Sequence, residues 1–126
     1  MTVEHYRSVM ASAHYRPDLD WVAVAPGGEF AAFCNVWLDH DNGVALLEPV
    51  GTAADYRRLG LARAACVAAM AAAASQDADT AVVLSDGGND ASLGLYRSLG
   101  FVELGRTEGF VKALADAPIA ATTPGT

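Results

Sequence analysis

Basic residues are scarce in this chain. Lys and Arg number 8 against 15 Asp and Glu, a formal net charge of −7. Nucleic-acid phosphates and anionic membrane surfaces both reward basic surfaces, so the balance argues against either partner. Cysteine is nearly absent: only Cys34 and Cys66 occur, each inside an apolar stretch. That reads as two reduced core thiols rather than a disulfide framework. No CxxC or Cys/His spacing marks a metal site. Long apolar runs are missing too. The longest, 64–74, is too short and too alanine-rich to span a bilayer. The N-terminus carries Glu4, His5 and Arg7 and has no apolar core of a signal peptide. The expectation is a cytoplasmic protein that binds no metal, nucleic acid or membrane.

What is present suits one folded domain. The chain has 126 residues, 52% hydrophobic and 18% charged, enough to bury a core without staples. The expected domain spans 1–114. The Ala/Pro/Thr-rich remainder, 115–126, is expected to be disordered.

Val3, Tyr6, Met10 and Ala13 recur at helical spacing behind Thr2, a candidate N-cap. Pro17 closes that segment. Residues Trp21 to Ala25, Phe30 to Leu38 and Val44 to Val50 read as three antiparallel strands, separated by Pro26-Gly27-Gly28 and Asp39-His40-Asp41-Asn42-Gly43. Leu61 to Ser75, mostly alanine, reads as a helix able to approach a sheet closely. Thr80 to Leu84 is a short buried strand and Asn89 to Ser98 a second helix stopped by Gly100. Phe101 to Leu104 and Gly109 to Ala113 read as a last pair of strands. The passage from the third strand through a helix to the fourth needs a crossover, so those two strands are expected to be parallel neighbours. The fold class is α/β with a mixed, mostly antiparallel sheet.

The chemically informative stretch runs from Glu48 to Ala65. A strand ends, a short loop holds Arg57 and Gly60, and a helix begins at once. Free N–H groups and the helix dipole converge there, Gly60 lets backbone approach a ligand, and Ala62 is nearly as small. The physical reading is a pyrophosphate cradle. It is not a Walker loop, and it carries only one of the three glycines of a dinucleotide fingerprint. A plain turn before a helix is the bland alternative.

Arg57-Arg58-Leu59-Gly60-Leu61-Ala62 resembles the R/Q-x-x-G-x-G/A motif of the GNAT N-acetyltransferases. Asn89 to Phe101, with Tyr96 inside it and Gly100-Phe101 closing it, resembles their second motif. The order of elements from Trp21 to Ala113 is similar as well. The resemblance implies an acyl-CoA-dependent N-acyltransferase that uses acetyl-CoA as donor and a small-molecule or protein amine as acceptor, with no metal. It implies that amides around Arg57, Arg58, Leu59, Gly60, Leu61, Ala62 and Arg63 bind the CoA pyrophosphate. The strand from Leu46 to Thr52, with Val50, Gly51 and Thr52, would pair with the pantetheine arm where the central strands splay. Pro49, which cannot donate to a ladder, agrees with a bulge or splayed edge there.

Asn89 would contact pantetheine or cap its helix, and the two roles can coexist. Tyr96 is either the general acid for the leaving thiolate or a core-edge tyrosine. Glu48 shares parity with Val50 and Thr52 unless a bulge intervenes, and is either the general base, directly or through a water, or a structural partner. An amide near Val50 or Gly51 would stabilise the oxyanion.

The segment ahead of Trp21 has room for one helix, whereas the family begins with a strand and two helices. The first strand and first helix are expected to be missing, which makes this an N-terminally short member with an exposed sheet edge and a homodimer the expected assembly. A non-catalytic CoA-binding remnant, or an interaction module completed by a partner chain, is the alternative function.

Overall fold

In the computed structural model, which describes residues 2–86 and 88–115, one four-stranded sheet organises the chain. The elements are helix α1 (Val3–Met10), strands β1 (Asp20–Val24), β2 (Phe30–Asp39) and β3 (Val44–Thr52), helix α2 (Leu61–Ala74), strand β4 (Thr80–Val83) and helix α3 (Asp90–Ser98). The strand order is β1-β2-β3-β4. The first three strands are antiparallel, and β4 joins β3 in parallel after the α2 crossover. This is the expected α/β architecture; α1 ends three residues short of Ala13, and the other elements that form begin and end within two residues of the sequence expectations.

Local chemistry explains the starts and stops. Thr2 caps α1, its hydroxyl accepting from the His5 N–H at 3.1 Å. Asn89 caps α3, accepting from the Ser92 N–H at 3.0 Å. Between β2 and β3, Asp39 gathers the Asn42 N–H at 3.2 Å and its side-chain amide at 2.8 Å, and Gly43 takes φ +69°. The turn residues foreseen for a hairpin therefore form one, across a loop of four residues, 40–43.

The core lies between the sheet and α2. Ala65, Cys66, Ala69 and Ala73 form the buried stripe of α2, packed against Cys34, Val36, Leu47 and Val50. Small side chains on the helix let its axis settle close to the strands. Both cysteines are buried and free. The Cys66 sulfur beside it, together with burial, pushes the Cys34 thiol well above its usual range. It therefore stays protonated at neutral pH and packs as a small apolar group.

The opposite face of the sheet carries a polar tether. The Tyr6 and Tyr15 hydroxyls both donate to the Asp20 carboxylate, tying α1 and the following turn to β1. The Tyr6 ring meets Phe33 edge-on at 5.7 Å, and Tyr15 meets Trp37 at 6.4 Å. Burial first, then the Asp20 bond, raises both tyrosine pKa values.

The last two expected strands do not form. Residues 101–113 hold no regular secondary structure, and Leu104 is 97% and Phe110 92% exposed. β-favouring residues do not by themselves supply an edge to pair with. β4, at the sheet's margin, is four residues long, and Gly105 and Gly109 interrupt the segment. The expected disordered tail lies, apart from Ala115, outside the described residues. No helix among the described residues is long and apolar enough to cross a membrane.

Candidate active site

The β2–β3 ladder runs evenly from Asp39↔Val44 to Val36↔Leu47 and resumes at Cys34↔Val50. Between those points β2 spends one residue, Asn35, and β3 spends two, Glu48 and Pro49. That is a β-bulge at the proline that cannot donate to a ladder; the Glu48–Pro49 peptide is cis. Asn35 fills the gap. Its side chain is fully buried, and its Nδ2 donates to the Glu48 carbonyl at 3.1 Å. Its Oδ1 is buried with no hydrogen-bond partner. Such an orphan costs about 1–3 kcal/mol.

The bulge changes the parity of β3. Val50 turns into the core beside Leu47, while Glu48 is exposed. The expectation that Glu48 shares a face with Val50 therefore fails, for the reason named as its exception. Its carboxylate bears no burial cost that a structural partner must offset.

Past the bulge, β3 loses its parallel neighbour. β4 pairs with it from Val44↔Thr80 to Leu47↔Val83 and no further. The stretch from Glu48 to Thr52 has its β4-facing edge unpaired by any described strand, so the two central strands part where Pro49 suggested. On the other side Gly51 lies under the ring of its cross-strand partner Phe33.

The chain then passes through a 3-10 turn, Ala54–Tyr56, to the start of α2. Arg58 has φ +63° and Gly60 φ +73°. These left-handed residues turn the chain sharply so that α2 starts directly after Gly60. Gly60 is the N-cap and supplies no side-chain cap bond. The first intrahelical bond to it comes from the Ala64 N–H, at 3.0 Å. The amides of Leu61, Ala62 and Arg63 precede it and have no acceptor within the helix. A β-carbon at Gly60 would meet nothing within 4 Å, so the cap opens on free space. Arg57, Arg58, Leu59 and Arg63 are exposed around it. Free amides, the positive end of the α2 dipole and three guanidinium groups suit a diphosphate.

α3 brings the other two candidates. Asn89 Oδ1 is engaged in its capping bond, so the capping role is real. Tyr96 is 4% exposed, its ring edge-on to Phe101 at 5.9 Å. The neighbouring Leu95, Leu99 and Phe101 pack against the core that includes Val50 and Ala65. α3 thus joins the same core that β3 and α2 build. His5, His14 and His40 are exposed.

Asn35 was not foreseen. Nothing in its own neighbourhood marks it; the signal was Pro49, which demands a bulge and hence something opposite to fill it.

The family model for the acetyltransferase (GNAT) family matches residues 2–101. A comparison with curated proteins finds no match. Among solved structures, an aminoglycoside acetyltransferase, AAC(6')-Iy, in complex with a CoA-S-monomethyl-acetylneamine bisubstrate analogue is similar at TM-score 0.69 and 20% identity, over 88% of this chain and 78% of that one. The ribosomal-protein-S18-alanine N-acetyltransferase from Escherichia coli is similar at TM-score 0.64 and 24% identity, over 83% of this chain and 63% of that one. A Trypanosoma brucei acetyltransferase matches at TM-score 0.64 and 19% identity, over 86% and 77%. These identities speak to the fold alone. The family match spans most of the chain, and both motifs stand within it: the chain belongs to the GNAT acetyltransferase family.

Proposed function

We propose that the chain transfers an acetyl group from acetyl-CoA to an amine by direct attack. The observation that carries this reading is the departure of β3 from β4 at Leu47, with the open helix start behind Gly60 reached through the end of β3 and one 3-10 turn. An extended pantetheine arm would add as a strand to the free edge of Val50, Gly51 and Thr52. Its diphosphate would reach the amides of Leu61, Ala62 and Arg63, with Arg57, Arg58 and Leu59 beside it. Asn89 would line the arm while it caps α3.

In the reaction the amine lone pair attacks the thioester carbonyl, the C–S bond breaks, and the products are the N-acetylated amine and free CoA. Glu48, exposed at the bulge, would take the amine proton, directly or through a water. An amide near Val50 or Gly51 would stabilise the oxyanion. Tyr96 would return a proton to the departing thiolate. The acceptor class is a primary amine. Structures of this fold carry names that include aminoglycoside and ribosomal-protein acetyltransferases, and the net charge of −7 suits a cation.

The test is release of free thiol from acetyl-CoA in the presence of aminoglycosides, polyamines and peptides with free N-termini. Release that depends on one of these amines supports the proposal. CoA binding by calorimetry without turnover on any of them favours the non-catalytic reading instead.

A further inference from the structure

We infer that Asn35 is a positioning residue for this site, holding the β3 bulge so that Glu48 faces outward and the Val50 amide, the first beyond Pro49, faces the unpaired edge of β3. The inference rests on the reading of Glu48 as base and of an amide near Val50 or Gly51 as the oxyanion donor, and of these two it is the Val50 amide that points away from β2.

Asn35 is the one fully buried polar side chain among the described residues. It stands opposite the two bulge residues and gives its Nδ2 to the carbonyl of one of them, Glu48, at 3.1 Å. A bulge carbonyl has lost its ladder partner, so this bond replaces the one that regular pairing would have made. The carbonyl direction fixes the peptide plane, and the peptide plane sets where the Glu48 side chain leaves the strand. The same plane sets how the following residues re-enter register at Val50.

The orphaned Oδ1 argues for the role rather than against it. A leucine of similar volume would remove the orphaned Oδ1 and leave only the Glu48 carbonyl without its donor. The amide is a worse core residue than its apolar replacement, and what it alone provides is a donor to Glu48.

The strand behind Asn35 is itself clamped. Its cross-strand partner is Asp20, whose carboxylate takes the Tyr6 and Tyr15 hydroxyls. Directly opposite residues of an antiparallel pair share a face. A chain of contacts therefore runs from α1 through Asp20 and Asn35 to the Glu48 carbonyl.

The experiment is Asn35→Leu, with Asn35→Ser as the smaller substitute if leucine does not fold, in the full chain. Two readouts are taken: backbone amide shifts and hydrogen exchange from Glu48 to Thr52, and steady-state kinetics on an amine that the wild type acetylates. The expected result is altered shifts and faster exchange confined to that segment. A fall in kcat of at least tenfold and a displaced acidic limb in the pH profile of kcat/KM should accompany it, with the Kd for CoA changed less than threefold. Wild-type shifts at Val50 and Gly51 would overturn the inference, and so would altered shifts with wild-type kcat. If the wild type acetylates nothing, the proposed reaction fails on its own account, and the amide readout alone decides whether Asn35 holds the bulge.

Discussion

The ring of Phe33 lies across Gly51, its cross-strand partner, so closely that a β-carbon on Gly51 would sit 2.6 Å from the ring Cζ. Phe33 cannot simply turn away, because Tyr6 meets it edge-on at 5.7 Å and Tyr6 is held by Asp20. Gly51→Ala should therefore destabilise the fold by about 1–3 kcal/mol through overpacking. Gly51→Ala combined with Phe33→Leu should recover most of the loss. Urea titrations of the two variants check this; equal loss in both would show that the ring is not the obstacle.

The cradle makes a separable prediction. A valine at Gly60 would project into open space, so its packing cost is nil, but φ +73° suits no β-branched residue. Gly60→Val should lower CoA affinity at least tenfold while the fold survives. Gly60→Asn, which tolerates the left-handed region, should lose less. Calorimetry with CoA measures both, and unchanged affinity in the valine variant would remove this loop from the donor site.

The helices, the four strands and their parallel crossover were legible because each rests on local signals: period, caps and turn residues. The parting of the central strands was implied by the family resemblance, and Pro49 agreed with it by marking a bulge or splayed edge. Asn35 was not, since its role depends on a strand that follows it in the chain and on a bulge whose exact place the sequence leaves open. Glu48 shows the same limit from the other side. Its parity was countable only on a regular strand, and one extra residue turned it out of the core. The segment from Phe101 to Ala113 holds residues that favour strands, but that preference is local and pairing is not.

For the chemical step, Tyr96→Phe should reduce kcat at least tenfold and leave the Kd for acetyl-CoA within threefold, because leaving-group protonation matters only in the transition state. Tyr96 is 4% exposed and packs on Phe101, so the control is thermal stability. Parallel loss of Tm, binding and rate would assign the tyrosine to packing. Glu48→Gln should slow the reaction most at neutral pH and less as pH rises and free amine accumulates. A deficit independent of pH would argue against a base.

The Tyr6–Asp20–Tyr15 tether predicts an alkaline limb of stability. Burial and then Asp20 raise both tyrosine pKa values in the folded chain, while unfolded tyrosine ionises near its ordinary value of about 10. Above that pH the unfolded chain has released protons that the folded chain still holds. The contribution is thus complete below about pH 10 and declines as pH rises further. Urea midpoints taken on both sides of that value should fall with pH in the wild type. They should fall less steeply in a Tyr6→Phe/Tyr15→Phe double variant. Identical slopes would show that the tether does not govern the limb.

The sheet edge bears on assembly. β1 is the last strand of the order, and no described strand covers its outer side. Trp21 and Val24 on it, Phe30 at the start of β2, and Val3 and Met10 on α1 are all exposed apolar side chains. An unpaired edge of this kind invites a second strand, and two-fold closure is the commonest way to satisfy it. We propose a homodimer that uses α1 or the β1–β2 hairpin. Light scattering after size exclusion should give about twice the chain mass of 13.0 kDa. A charge on the edge strand should oppose pairing, so Val22→Lys in its middle and Val24→Lys at its end should shift the mass toward the monomer. Wild-type protein that runs as a monomer at micromolar concentration would end the proposal. A dimer indifferent to both lysines would move the interface away from β1.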